Sequence, residues 1–408
     1  MKLNLRYPIE FFALLALVIC VPSLEAPKNI FWLAFAVTWL INRIRDKNFG
    51  GAWDYWDSLI GLWIFSGYLI SAFAGLHNSE WGGANDILRY GSIFWAIKRS
   101  GYGRIELLWL AIAIVISTSI ALGYGLWDLF VAHTRQALQL NSVGHVNHSA
   151  IYLAISYGAL LSMVLAFWGK SNAGMRILGS LLTVLFAVSI FISASRGAVG
   201  VALLTTIVLG IAWLRRSKYP LILLLVAGTL LTGGAYMTKV EVVQKQEANV
   251  KAGIILSYRD VIWNTALVAW RKYPLFGVGM HNYNQISMDK VKTWLEESGK
   301  PYVASEYGGI SHAHSLYVNT LAERGLVGMA VLLSVLLSWL YWLVRFAPRG
   351  TDEDLAWALW GGSFSAWFVT VGIGLVNTTL HHEHAILSVM LLGMWLAYLK
   401  TKHHSATA

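Results

Sequence analysis

Arg196 stands in Ser193-Ala194-Ser195-Arg196-Gly197, a short polar interruption between two apolar runs. A guanidinium at the end of apolar helices costs free energy unless it is paired or reaches water, so its default reading is functional. Snorkelling to headgroups is the plainer alternative. In such a place the planar fork can grip a phosphate through two parallel hydrogen bonds. Arg259, in Tyr258-Arg259-Asp260-Val261-Ile262-Trp263, offers a second cation, with a local ion pair to Asp260 as its plain alternative.

Histidines make up the rest of the chemistry. The run Ser311-His312-Ala313-His314-Ser315-Leu316-Tyr317-Val318-Asn319 carries two of them, and His381, His382 and His384 surround Glu383 further on. Histidine can carry a proton near neutral pH, bind a metal, or donate a hydrogen bond to an anion. Ser311 is expected to cap a helix running to Glu323, with Gly325 as a break. Residues two apart on a helix do not share a face, so only one of His312 and His314 would then enter a given pocket. The free N–H groups of that helix start would also suit an anion. A zinc site from the two clusters would need three or four fixed ligands, with Glu383 as a nearby carboxylate.

Two glycine-rich segments carry more histidines: Gly144-His145-Val146-Asn147-His148 and Gly277-Val278-Gly279-Met280-His281-Asn282. Glycine pairs permit close backbone approach. Neither is a P-loop, since no Gly-Lys-Ser/Thr follows. No Asp-rich metal–nucleotide motif, GxSxG elbow or HExxH is present. Cations and histidines with few carboxylates suit binding of a dianionic or pyrophosphate group better than metal-dependent hydrolysis.

The elements that position these residues are apolar helices. The chain is 57% hydrophobic and 13% charged, against about 25% charged in soluble proteins. Its 20 tryptophans and 18 tyrosines suit two membrane interfaces. An all-α integral membrane protein is therefore expected. The single cysteine, Cys20, excludes an intrachain disulfide and any Cys-based metal framework. The net charge of +10 calls for no nucleic-acid partner, because the positive-inside rule explains most of it. The first segment, Ile9 to Pro22, follows Lys2 and Arg6 like a secretory signal. Leu24 and Pro27 around Ala26 are poor for cleavage, so it reads as a retained first helix.

About twelve spans are expected: 8–24, 28–43, 57–76, 86–98, 105–125, 146–168, 175–194, 197–214, 219–237, 325–345, 354–377 and 380–399, the fourth unusually short. One set of loops holds seventeen of the 31 basic residues, among them Arg43, Lys98, Arg99, Lys170 and Lys402. The short loops of the other set hold four: Lys28, Arg89, Arg135 and Arg196. Both termini are therefore expected inside. Ten of the 12 histidines then fall on or near the outer face, all but His403 and His404. The chain divides into helices 1–9 (1–237), a mostly helical outer loop (238–324), helices 10–12 (325–400) and a tail (401–408). Within the loop, 248–273 reads as a helix ended by Pro274 and Gly277. The stretch 284–300 reads as an amphipathic helix with Ile286, Val291 and Trp294 on its apolar side.

Taken together, the pieces resemble the O-antigen ligase and polymerase superfamily of bacterial envelope glycosyltransferases, and the architecture resembles that of GT-C-type enzymes. The resemblance rests on Ser195-Arg196-Gly197 after an outer-ending helix, then Arg259 with Trp263 and Ala266, then Pro274-Leu275-Phe276-Gly277-Val278-Gly279. It ends on His312-Ala313-His314 with Leu316, Leu321, Ala322, Glu323, Gly325 and Gly328. The family pattern often has Asn directly after the motif histidine, where this chain has Ser315. Within the superfamily the chain looks most like the ligase that joins O-antigen to lipid A-core.

The resemblance implies a glycan donor on undecaprenyl pyrophosphate and a lipid A-core acceptor. They would meet at the periplasmic face of the bacterial inner membrane, among membrane lipids and without nucleotide sugar, ATP, cofactor or metal. It implies Arg196 and Arg259 on the pyrophosphate and His314 on the acceptor hydroxyl, the three catalytic candidates. His312, His148, His145, Tyr317 and His281 are the substrate-binding candidates. Direct displacement would invert the anomeric carbon, since no Asp/Glu pair suggests a double displacement. A polymerase extending another lipid-linked glycan and a protein oligosaccharyltransferase are the alternatives within the class. A transporter or lipid flippase would favour internal repeats and midplane charges, and the sequence has neither.

Overall fold

The computed structural model describes residues 5–214, 259–309, 311–350 and 352–407. Among them all regular structure is helical. The helices are α1 (Pro8–Cys20), α2 (Glu25–Arg45), α3 (Tyr55–Ala72), α4 (Glu80–Arg99), α5 (Arg104–Phe130), α6 (Val146–Phe167), α7 (Ala173–Ile192) and α8 (Arg196–Trp213). After the undescribed stretch come α9 (Arg259–Lys272), α10 (Met288–Glu297), α11 (Leu316–Arg345), α12 (Asp354–Gly374) and α13 (His382–Thr407).

Each expected span except the ninth falls on a helix; the ninth, 219–237, and the upstream part of the 248–273 helix lie outside the described residues. Among the described residues six helices are long and apolar enough to cross a membrane, namely α5, α6, α7, α8, α11 and α13. The fourth expected span is longer than 86–98. Glu80 to Asp86 reads as loop by hydropathy, yet it is helical because Glu80 is buried against the 277–282 segment, where Asn282 Nδ2 reaches Glu80 Oε2 at 3.1 Å.

Local chemistry starts and stops these helices. Pro8 fills the first turn of α1, where its missing N–H costs nothing. Asp54 and Asp57 form a reciprocal capping box at α3, and Ser287 caps α10 through Lys290 N. The core is one apolar cluster of Leu, Ile, Val and aromatic side chains with α6 at its centre, buried along most of its length. A second, smaller cluster joins α9 and α10 through Ile262, Ala266, Val291, Trp294 and Leu295. Ile286 joins it too, so the expected apolar side of 284–300 is the buried one, though Tyr283–Gln285 is a 3-10 turn and α10 starts at Met288.

One end of the bundle gathers the loops that the sequence marks as basic. There Arg43 pairs with Glu10 at 3.0 Å, Lys98 with Asp57 at 2.7 Å and Asp54 at 2.6 Å, Arg104 with Glu353 at 2.7 Å, and Lys402 with Asp352 at 2.6 Å. The histidines of the candidate site lie at the starts of α6 and α13, on the segment that leads into α11 and, for His281, between α9 and α10.

Gly325 breaks the helix just ahead of the tenth span, as expected. α11 (Leu316–Arg345) is two helical stretches joined at Gly325, whose φ 58° and ψ −159° are not helical. The segment 274–279 explains the break. Leu326 N and Val327 N donate to Pro274 O and Leu275 O, while Val278 N and Gly279 N donate to Ala322 O and Glu323 O. A Cβ on Gly325 would lie 2.4 Å from the Leu275 carbonyl, and one on Gly277 would lie 2.4 Å from the Glu323 carbonyl carbon. Such backbone angles are essentially reserved for glycine. Gly325→Ala is therefore expected to destabilise by more than the ~1–3 kcal/mol of strain alone, read as a lowered melting temperature in detergent. Gly200→Ala, on α8 with nothing within 4 Å of an added Cβ, is the control and should leave melting near wild type.

Candidate active site

The run 311–315 is not helical, so the expected capping role of Ser311 passes to Ser315, whose Oγ accepts from Val318 N at 3.4 Å. His314 sits at φ 47°, a left-handed conformation, and Ala313 between the two histidines is fixed at both backbone groups. Its N–H donates to Asn319 Oδ1 at 2.9 Å and its carbonyl accepts from Trp263 Nε1 at 2.9 Å. Asn319 in turn donates to buried Glu323 at 2.9 Å. The result differs from the helical expectation, which sent the rings to separate faces. Their centroids are 4.3 Å apart, edge to face.

His312 lines a cavity of about 470 Å3 together with His145, His148, His281, His381 and His382. Arg324 adds a guanidinium and Glu323 a carboxylate to the wall. His148 is the hub, its ring 4.7 Å from His381, 5.5 Å from His382, 5.7 Å from His145 and 6.1 Å from His312. Burial, then the neighbouring His314, pulls the His312 pKa down to about 4. His281 moves the other way, raised by its hydrogen bond to Asp86, whose Oδ2 is 3.4 Å from its Nε2. The cavity thus joins the His312 ring, whose burial disfavours its charged form, to His281, whose bond to Asp86 favours it.

Arg196 and Arg259 are not among the residues that line the cavity. Burial and then the charge of Arg196 lower the pKa of Arg259, so the two guanidiniums act on one another across the fold. Arg259 also acts on His314, whose pKa is lowered by burial first, raised by Asn377, and lowered again by that guanidinium. Arg196 opens α8 behind Ala194, which holds a left-handed φ of 56°. Gly197 beside it packs on Val376 at the end of α12, one residue from Asn377. Charge and hydrogen-bond interactions thus link residues far apart in the chain: Arg196 to Arg259, Arg259 to His314, and His314 to Asn377.

Strain marks the same region. Ala194, His281, His314, Leu380 and His382 all have positive φ without being glycine. Each such residue costs about 1–3 kcal/mol and persists only where its surroundings over-determine it, a condition typical of functional sites.

Two substrate-binding candidates are used structurally. The Tyr317 hydroxyl donates to Val371 O at 3.1 Å and tyrosine is not among the cavity's side chains. His145 caps α6, its Nδ1 accepting from Asn147 N at 3.2 Å, while its ring still borders the cavity. Sequence reasoning missed Asn377, Arg324 and Asp86; the histidines that Asn377 and Asp86 meet, His314 and His281, lie far away in the chain. Asn319 with Glu323 was findable, since an i,i+4 pair at a helix start is a local signal.

Residues 181–333 match the family model described as O-antigen ligase. The match contains Arg196, Arg259, His312 and His314. No curated protein matches the chain.

Proposed function

We propose that this chain, a member of the O-antigen ligase superfamily through residues 181–333, transfers O-antigen from undecaprenyl pyrophosphate to a sugar hydroxyl of lipid A-core. Ligase- or polymerase-type glycosyl transfer is what the family supports; the acceptor and the periplasmic site of transfer are this reading's own additions. The observation that supports it is the docking of the helix opened by Arg259 on the histidine run, where Trp263 Nε1 donates to Ala313 O beside the left-handed His314, which feels the Arg259 charge.

In this reading Arg196 and Arg259 bind the pyrophosphate and stabilise the charge that grows on it as the anomeric C–O bond breaks. The acceptor hydroxyl, lodged on the cavity side by His312, His148 and His281, attacks the anomeric carbon from the opposite face. His314 takes the hydroxyl proton, and undecaprenyl pyrophosphate leaves with the bonding electron pair. A neutral imidazole is what this role needs at neutral pH, and the lowered His314 pKa favours it. One displacement inverts the anomeric centre. Both termini would be cytoplasmic and the active site periplasmic, in keeping with the loop charges.

Purified protein in detergent, given undecaprenyl-pyrophosphate glycan and chelator, should build a glycan ladder on lipid A-core. Lengthening of the lipid-linked glycan instead would make the chain a polymerase with the same arginine and histidine roles. Absence of transfer to either acceptor from folded protein would overturn the reading.

A further inference from the structure

We infer that His148, His381 and His382 form a binding site for a late first-row divalent cation, with zinc the best fit. One ring nitrogen from each residue lies within 4.8 Å of the others. Zinc–nitrogen bonds of about 2.0–2.1 Å in tetrahedral geometry put ligand nitrogens roughly 3.4 Å apart, so small ring rotations close the site. The ligand set is imidazole alone, which suits zinc, copper and nickel rather than magnesium or calcium.

Local backbone geometry brings the ligands together. Consecutive residues ordinarily diverge, yet the rings of His381 and His382 are 4.0 Å apart because His382 adopts φ 53° at the start of α13. His148 comes from the first turn of α6, so a bound ion would tie α6 to α13. His381 Nε2 is buried and has no hydrogen-bond partner among the described residues, a state that costs free energy unless something is bound there. The nearest ammonium does not oppose a cation, because Lys28 is held between Glu25 at 2.6 Å and Glu383. All three histidines border or adjoin the cavity, leaving the fourth position for water or a ligand oxygen. The transfer chemistry proposed above runs without this ion, and the site is tested by metal rather than by product.

Full-length protein in detergent would be stripped with chelator and dialysed against micromolar zinc, with bound metal counted by mass spectrometry. One equivalent per chain is expected, with a rise in melting temperature and, for cobalt, the absorption of a tetrahedral centre. His381→Ala and His382→Asn should each lose more than the ~10–100-fold in affinity typical of a supporting residue. The second variant retains a residue that tolerates the left-handed backbone, so loss there reports a ligand rather than misfolding. His281→Asn, on the cavity wall outside the triad, should bind as wild type. No binding, undiminished binding in both triad variants, or equal loss in His281→Asn would each overturn the site.

Discussion

Arg196→Ala is expected to lower single-turnover transfer by about 10²–10³-fold, the usual loss when one preorganised donor to a developing negative charge is removed. The protein should stay folded, because Arg196 is the first residue of α8 and the buried face of that helix is made by Ala198, Val201, Ala202 and Leu209. Arg259→Ala should lose a similar amount. The double variant should lose less than the product of the two, since residues serving one charge do not act additively. The more discriminating substitution is Arg196→Lys. It keeps the charge but replaces a planar fork with a point charge, so a geometric role predicts serious impairment. Transfer by Arg196→Ala at the wild-type rate, on protein with wild-type melting, would remove the pyrophosphate role.

What the sequence made legible was chemistry tied to local pattern. Ser193 to Gly197 interrupts apolar runs, and that interruption is the turn that starts α8. The apolar side of 284–300 follows from spacing alone, because a buried amphipathic helix obeys one period. What was not legible depends on distant partners. Gly325 reads as a break because glycine weakens helices, and the backbone does break there. What the sequence hides is its partner: the 274–279 segment supplies carbonyls to Leu326 and Val327, whose N–H groups bond outside the helix at this break. Likewise the spacing of His312 and His314 implied divergence only while the run was taken as helical. Asn319 and Trp263 hold Ala313 by its two backbone groups and abolish that premise. The basic residues found their side by composition, whereas the partners of His281 and His314, Asp86 and Asn377, carry no sequence mark at all.

His314→Ala should cost transfer about 10²–10⁴-fold if the imidazole is the general base, and the pH profile separates that role from a packing one. The base must be neutral, so the rate is full above the His314 pKa and falls as pH drops through it. Burial and the Arg259 guanidinium hold that pKa below the ordinary imidazole value, about 6.5; the acid limb of kcat/KM should therefore lie below that value too. Arg259→Lys keeps a positive charge beside the ring and should leave the limb low even as the rate falls. Arg259→Ala removes the charge, so its residual activity should show the acid limb moved to higher pH. An acid limb that stays in place in Arg259→Ala, or that persists in the residual activity of His314→Ala, would assign the titration to another group. His312 offers the internal comparison. Burial and His314 pull its pKa down to about 4, and Arg259 is not among the charges acting on it, so an acid limb governed by His312 would not move in Arg259→Ala.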